Sequence, residues 1–252
     1  MKCQQSSSQR KFKPSRRTIL AAAATVGLCG FAANQNIQNG VAQATRSDWR
    51  AASHKLTNQA DLKVQILIYN SAPILGYGIA VEMFLAADFM HAFSVSTVGS
   101  LEENYVSILG SVRTVYSLEN APPVDVVIVP GGPFHQQVGR DLEIQAYLRN
   151  ALDDGATIYS ICTGALLLAS AALLEQSQAT TLHVATGALR QLSPSTLVED
   201  EVLFVDYRNI LACSGAGASI EATLHLIERM TFPEIAEDLR IRYLNYPCPA
   251  IN

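Results

Sequence analysis

A chain of 252 residues has room for one large domain or two small ones. Nearly half of it (49%) is apolar and only 16% is charged, so it can bury a sizeable core, and the composition excludes disorder. The formal net charge is −4, with 18 basic and 22 acidic residues, and the basic ones are unevenly placed.

Lys2, Arg10, Lys11, Lys13, Arg16 and Arg17 crowd the N-terminus, with no acidic residue before position 44. "SRRTIL" then leads into the moderately apolar "AAAATVGLCGFAA", and "VAQA" closes at Ala44 in the small-x-small form of a cleavage site. A twin arginine before such a stretch resembles a twin-arginine export signal. The apolar run over 18–33 is shorter than the roughly 20 residues of a membrane span. The expectation is a signal peptide over 1–44, a polar linker over 45–61 and one domain over 62–252, exported to the periplasm or beyond. An N-terminal membrane anchor is the alternative. Removal of 1–44 takes six of the 18 basic residues and none of the 22 acidic ones, so the mature charge falls to −10. Such a surface repels phosphate backbones, and nucleic acid is not an expected partner. Of the five cysteines, Cys162, Cys213 and Cys248 remain, without a C-x-x-C or a zinc-type Cys/His spacing, so neither metal nor cofactor is expected.

In chain order, "KVQILIY" (63–69) predicts a strand. Residues 76–92 predict a helix with Ile79, Met83, Phe84, Ala87 and Met90 along one side. "FSVSTVG" (93–99) predicts a second strand, and 106–118, broken by Gly110, a hairpin. "VDVVIVPGG" (124–132) reads as a strand covered on both faces and ending in two glycines. A helix over 141–152 ends in Asp153-Asp154-Gly155, and a strand over 156–161 runs into a helix beginning near Thr163. A hairpin turns around 206–209, a glycine-rich turn opens the helix of "GAGASIEATLHLIERM", and Pro233 opens a last one to about Leu244. Alternating strands and helices predict one α/β sandwich with a mainly parallel sheet.

In such a sheet ligands bind beyond the carboxyl ends of the strands. Three tight features fall there: Gly76-Tyr77-Gly78, Gly131-Gly132 and Cys162-Thr163-Gly164. Cys162 is either a small core residue or a nucleophile held at a strand–helix corner. A thiol at a helix N-terminus faces bare N–H groups and the positive end of the dipole, which favour thiolate. The turn has the form of a nucleophile elbow, and the N–H groups of Gly132 and Thr163 could hold a developing negative charge.

"APPVDVVIVPGG", "SICTGALLLASAALLEQSQATT", "NILACSGAGASIEATLHLIERM" and "DLRIRYLNYPCPA" together resemble the ThiJ/PfpI superfamily over residues 63–250. The likeness is to the branch that holds isocyanide hydratases and the sensor halves of AraC-like regulators. It implies a flavodoxin-like sandwich, a homodimer, Cys162 as nucleophile with Thr163 beside it, and a Gly131-Gly132 loop that helps build the oxyanion site. It also implies a small-molecule substrate such as an isocyanide, released as an N-substituted formamide. A regulator is disfavoured, because little chain follows Asn245 to form a DNA-binding domain.

The chain departs from the family at the acid. The family carboxylate before the first helix falls on Gly76, and Glu82 matches a different position that reads as a helix-surface group. His183 is the best substitute, although it stands one place beyond the position relatives use, and one step on an extended segment turns a side chain to the other face. Tyr77 could place a hydroxyl near the vacated carboxylate, and His135 could line the mouth. His54 lies in the linker and His91 at a helix end. His225 shares a helix side with Glu221 and Glu228, a solvated face without a role, and N-terminal stabilisation suffices to explain Glu221. The alternative to an enzyme is therefore a ligand-binding or oxidant-sensing protein.

Overall fold

The computed structural model describes residues 62–88, 93–107 and 110–244. The expected signal peptide and linker, together with His54, Met90, His91 and Cys248, lie outside them. The sheet begins with β1 (Leu62–Leu67), whose residues from Val64 onward are buried on both faces. β6 (Val126–Pro130) and β7 (Thr157–Ile161) are buried throughout. β6 is the near-continuous apolar run that a parallel strand covered by helices on both sides favours, whereas β1 and β7 bury Gln65, Thr157 and Ser160 among their apolar residues.

Among the described residues these strands join β2 (Phe93–Gly99), β5 (Tyr116–Ser117), β10 (Phe204–Tyr207) and β11 (Ile210–Cys213) in one seven-stranded sheet of order β10-β11-β7-β6-β1-β2-β5. Every neighbouring pair is parallel except β10 with β11. The crossover from β1 to β2 and that from β6 to β7 move in opposite directions along the sheet. Right-handed connections then set their helices on opposite faces. α1 (Ile74–Asp88) packs with α6 (Ser219–Met230) and α7 (Pro233–Leu244) on one side. On the other, α4 (Gly164–Ser170) packs against α2 (His135–Val138), α3 (Leu142–Asp153) and α5 (Thr186–Leu192). The result is a flavodoxin-like three-layer sandwich.

Two buried tyrosines pin the layers through their polar tips. Tyr159 of β7 shares hydrogen bonds with Ser219 O (3.2 Å) and Thr223 Oγ1 (3.1 Å) of α6. On the other face Tyr147 of α3 donates to Gln65 Oε1 of β1 at 2.6 Å. Burial holds both hydroxyls in the protonated form. On α1, Met83, Phe84 and Ala87 form the buried side expected, with Phe84 meeting Phe93 edge-on at 4.9 Å.

Several local expectations need correction. Gly76, Tyr77 and Gly78 do not form a turn; they lie in the first two turns of α1. The chain has already reversed at 69–72, where Ala72 N donates to Tyr69 O (3.1 Å) and Ser71 takes φ +66°. With Pro73 fixing the entry, the two glycines simply continue the helix. The hairpin starts earlier than expected, as β3 (Glu103–Ser107) against β4 (Gly110–Arg113). Beyond it Val115 N donates to Thr97 O (3.0 Å), which returns the chain to the sheet as edge strand β5. The short pair β8 (Gln178–Ala179) and β9 (Leu197–Val198), the turn His183–Ala185, α2 and α5 carry too few residues to show a period in the sequence.

Candidate functional site

β7 ends at Ile161, α4 starts at Gly164, and Cys162 makes the corner between them with φ +60°. A residue with a Cβ pays about 1–2 kcal/mol for this left-handed conformation. The surroundings hold it there from both sides. Cys162 N–H donates to Cys213 O of β11 at 2.9 Å, which extends the β7–β11 ladder by one bond. Cys162 C=O accepts from the buried Thr181 hydroxyl at 2.8 Å. Cys162 as a residue is half-buried, and its backbone is fixed at the corner.

Two glycines let the loop after β6 close on this corner. A Cβ at Gly164 would lie 2.2 Å from Val129 O, and one at Gly131 would lie 2.5 Å from both Thr163 N and Thr163 Oγ1. Only hydrogen fits at either place. Thr163, buried beside the thiol residue, accepts from Gly132 N–H at 2.8 Å and reaches back to Gly132 O at 3.3 Å. The Gly132 donor assigned to a developing anion is thus already bound to the Thr163 hydroxyl. His135 also turns to this loop, with Nδ1 2.9 Å from Gly132 O.

Tyr69 completes the group, and sequence reasoning missed it. It is 3% exposed, its hydroxyl donates to Pro130 O at 2.8 Å, and a Cβ on Gly132 would meet Tyr69 Oη at 3.2 Å. Burial first, and the negative charge of the Cys162 thiolate second, push this hydroxyl's pKa up, so it stays protonated. Its signal was an aromatic with a polar tip at the end of an otherwise apolar strand, where the tip must find a partner. Cys213, under the corner, is buried and its thiol donates to Gly215 O at 3.2 Å. Burial pushes it up to about 11 from the ordinary 9.0.

Other expected groups stand apart. His183 is exposed and near enough to Asp200 to help lower that carboxyl, whose main partner is the Arg190 guanidinium. It faces that surface pair, which gives the catalytic assignment no geometric support. Glu82 is exposed and accepts from Tyr243 Oη at 3.1 Å, the surface role expected. Gly76 is buried in α1; Pro73 links it to the loop, lying 3.7 Å from a Cβ on Gly76 and 3.1 Å from one on Gly132. The Tyr77 hydroxyl is buried without a hydrogen-bond partner among the described residues, and burial raises it. His225 is corrected: its Nε2 lies 2.7 Å from Asp206 Oδ2 and its ring stacks on Phe204, clamping α6 to edge strand β10 with help from Arg229. Helical spacing shows only which residues share a face, not what that face meets. Glu221 also does more than cap its helix, pairing with the buried Arg240 at 2.6 Å.

A cavity of about 350 Å³ opens beside Tyr69 at the carboxyl ends of the strands. A larger cleft of about 660 Å³ lies between α3 and the loop over 117–124, away from the corner. Cys162 lines neither. Among the described residues no cluster of three or more His, Cys, Asp or Glu side chains could hold a metal ion, and no helix is long and apolar enough to cross a membrane.

Residues 63–229 match the DJ-1/PfpI family. The chain belongs to that family. It is 29% identical over 133 residues to an isonitrile hydratase of Pseudomonas putida, covering 53% of this chain and 57% of that protein. It is also 32% identical over 112 residues to the HTH-type transcriptional regulator GbdR of Pseudomonas aeruginosa, covering 44% of this chain and 30% of the regulator. The chain therefore spans little more than half of one curated relative and under a third of the other. Since a transcriptional regulator is among the proteins this chain resembles, the exclusion of nucleic acid is not supported. Among solved structures, a ThiJ/PfpI family protein from Pseudomonas syringae superimposes with a TM-score of 0.67 at 21% identity, over 76% of this chain and 78% of that one, which establishes the fold.

Close packing at the corner has a measurable consequence. Gly164→Ala must displace Val129 O and will lower the melting temperature clearly, whereas Gly187→Ala, at an exposed helical position with nothing within 4 Å of its Cβ, will be neutral or raise stability by up to about 1 kcal/mol. Thermal unfolding of the two variants checks this. The second consequence concerns Cys213. As pH rises from about 9 to about 11 the unfolded chain loses this proton while the native state largely keeps it, so stability falls across that window by about 2 kcal/mol. Denaturant titrations at both pH values will show a smaller fall in Cys213→Ala.

Proposed function

We propose that this DJ-1/PfpI protein is an exported enzyme that uses Cys162 to hydrate a small isocyanide to its N-substituted formamide. The observation that carries the reading is the corner itself: a half-buried, non-glycine residue at φ +60° whose thiol is set between β7 and α4 against the Gly131-Gly132 loop. The similarity to an isonitrile hydratase supports the choice of substrate. In the reaction the Cys162 thiolate attacks the terminal carbon of R–N≡C and forms a C–S bond. The carbon takes a proton, giving a thioimidate, and water adds to it. Expulsion of the thiolate releases R–NH–CHO, so one water is consumed and the enzyme is regenerated.

Tyr69 is the proton-bearing group beside this corner. The charge of the Cys162 thiolate is felt at its hydroxyl, which burial keeps protonated. Its hydroxyl must leave Pro130 O, to which it donates in the unliganded site, to take the donor role that a carboxylate at position 76 would fill. A second reading, a ligand-binding or oxidant-sensing protein, is favoured by Gly76, which offers no acid. The same proposal includes a homodimer and delivery through the twin-arginine signal over 1–44.

Formamide formation from a panel of alkyl and aryl isocyanides tests the activity. Turnover is expected for the native chain, none for Cys162→Ser, and about 10²-fold less for Tyr69→Phe. Gly76→Asp can seat its Cβ, which outside its own helix meets Pro73 Cγ at 3.7 Å, and will raise the rate if proton delivery limits it. No formamide from any isocyanide, with reversible ligand binding unchanged in Cys162→Ala, would leave the second reading standing. For export, residues 1–44 fused to a reporter will carry it out of the cytoplasm, and replacing Arg16 and Arg17 by Lys will hold it back.

A further inference from the structure

Cys213 is the second thiol at the corner, and the backbone holds it against the first. Cys162 N–H donates to Cys213 O at 2.9 Å. Peptide dimensions then place the two Cα atoms no more than about 6.8 Å apart, inside the span that a disulfide bridges. The register sets Cys213 beside Ile161, so on a regular strand the side chain at 162 would turn to the other face. The regular strand ends at Ile161, however, and Cys162 breaks the alternation with φ +60°. A negative charge on Cys162 is felt at the Cys213 thiol, so the two sulfurs lie within electrostatic reach of each other.

Among the described residues Cys162 and Cys213 are the free cysteines, and they differ in what can reach them. Cys162 is half-buried, whereas Cys213 is 0% exposed and spends its proton on Gly215 O at 3.2 Å. Burial also keeps Cys213 protonated at neutral pH. Oxidation follows thiolate character and exposure, so an oxidant from solution meets Cys162 first. Cys213 is then the thiol that the fold has already placed beside the oxidised sulfur.

We infer that Cys162 and Cys213 form a redox pair, in which a hydroperoxide oxidises Cys162 and Cys213 resolves the product into an intramolecular disulfide. In the first step the Cys162 sulfur attacks a peroxide oxygen. The O–O bond breaks, the alcohol (water, from hydrogen peroxide) leaves, and Cys162 becomes a sulfenic acid. In the second step the Cys213 sulfur attacks the sulfenic sulfur and gives up its proton. The S–S bond forms, the S–O bond breaks, and hydroxide leaves with that proton as water. Two thiols thus lose two electrons and one peroxide is reduced. A reducing thiol reaches the bridge from the Cys162 side and must expel Cys213, a poor leaving group because burial raises its pKa, so the bridge opens slowly. While it is closed the nucleophile is out of use. The bridge itself is independent of the isocyanide reaction, and its meaning as a switch rests on that reading.

The test treats the reduced full chain with hydrogen peroxide, blocks the remaining thiols and maps the peptides by mass without reduction. A crosslinked pair carrying Cys162 and Cys213, lighter by two hydrogens than its two peptides, is expected, and dithiothreitol will separate it. In Cys213→Ala nothing resolves the sulfenic acid, so dimedone will label Cys162 at least about 10-fold more than in the native chain, and sulfinic acid will build up there. Cys213→Ser, which keeps a donor for Gly215 O, repeats the measurement if the alanine variant unfolds. In Cys162→Ala, Cys213 will stay reduced. Isocyanide turnover will fall as the crosslinked pair accumulates and return on reduction. If no isocyanide is turned over at all, the peptide map still decides the inference. Four results would overturn it: sulfinic acid on native Cys162 without the crosslinked pair, a bridge from Cys162 to Cys3, Cys29 or Cys248 instead, equal dimedone labelling with and without Cys213, or Cys162 left unmodified. Turnover that persists in the crosslinked chain would overturn its role as a switch.

Discussion

The contact between the loop after β6 and the corner after β7 sets the rest of the site. Gly164 approaches Val129 O so closely that no side chain fits, and Gly131 does the same against Thr163. The register of β6 with β7, which pairs Pro130 with Ile161, brings the two strand ends level so that these glycines meet. Thr163 then bonds to Gly132 and locks loop to corner. Cys162 can hold its unfavourable φ because that lock, the Cys213 carbonyl and the Thr181 hydroxyl all act on neighbouring backbone at once. Weakening the sheet at β11 would therefore loosen a thiol on the opposite side of the same residue.

The fold was legible where one physical rule decides the outcome. A continuous apolar run identifies β6, because a parallel strand covered on both sides has no solvent face, and short β-rich runs mark β1 and β7. Asp141 identifies the start of α3, because its carboxylate accepts from the amides of the first turn. Failures came where tertiary contacts decide. Whether 110–118 stays a hairpin or returns to the sheet depends on Thr97, far off in sequence. Gly76-Tyr77-Gly78 carries turn chemistry, yet the reversal had been spent at 69–72, and glycines tolerate a helix once its entry is set.

The same division runs through the site. Cys162, Thr163, Gly131 and Gly132 are neighbours in space because each sits at the end of an adjacent strand, which topology alone predicts. Tyr69 was hidden in a strand pattern that accounts for its ring but not for its hydroxyl. His225 was hidden because its partner, Asp206, lies on a strand rather than on its own helix. His183 drew notice through its place beside the paired threonines, of which Thr181 does bind the corner while His183 faces outward to Asp200.

For the proposed reaction, the occupied Gly132 N–H is less of an obstacle than it would be in acyl transfer. Attack on a carbonyl builds charge on oxygen, which needs donors aimed at an oxyanion. Attack of a thiolate on an isocyanide carbon builds charge on that carbon, and a proton discharges it. A corner whose Gly132 amide is already taken by Thr163 can serve such a step, provided a protonated group stands beside the sulfur. Tyr69 is suited to that role, since burial makes its hydroxyl a weak acid that stays neutral beside the thiolate, and a carbanion is a far stronger base than the phenolate left behind. The absence of a carboxylate at Gly76 then sets the rate of proton delivery rather than the identity of the chemistry. In the ligand-binding reading the same missing acid would leave Cys162 without a turnover route, so the proton-transfer step is where the two readings separate.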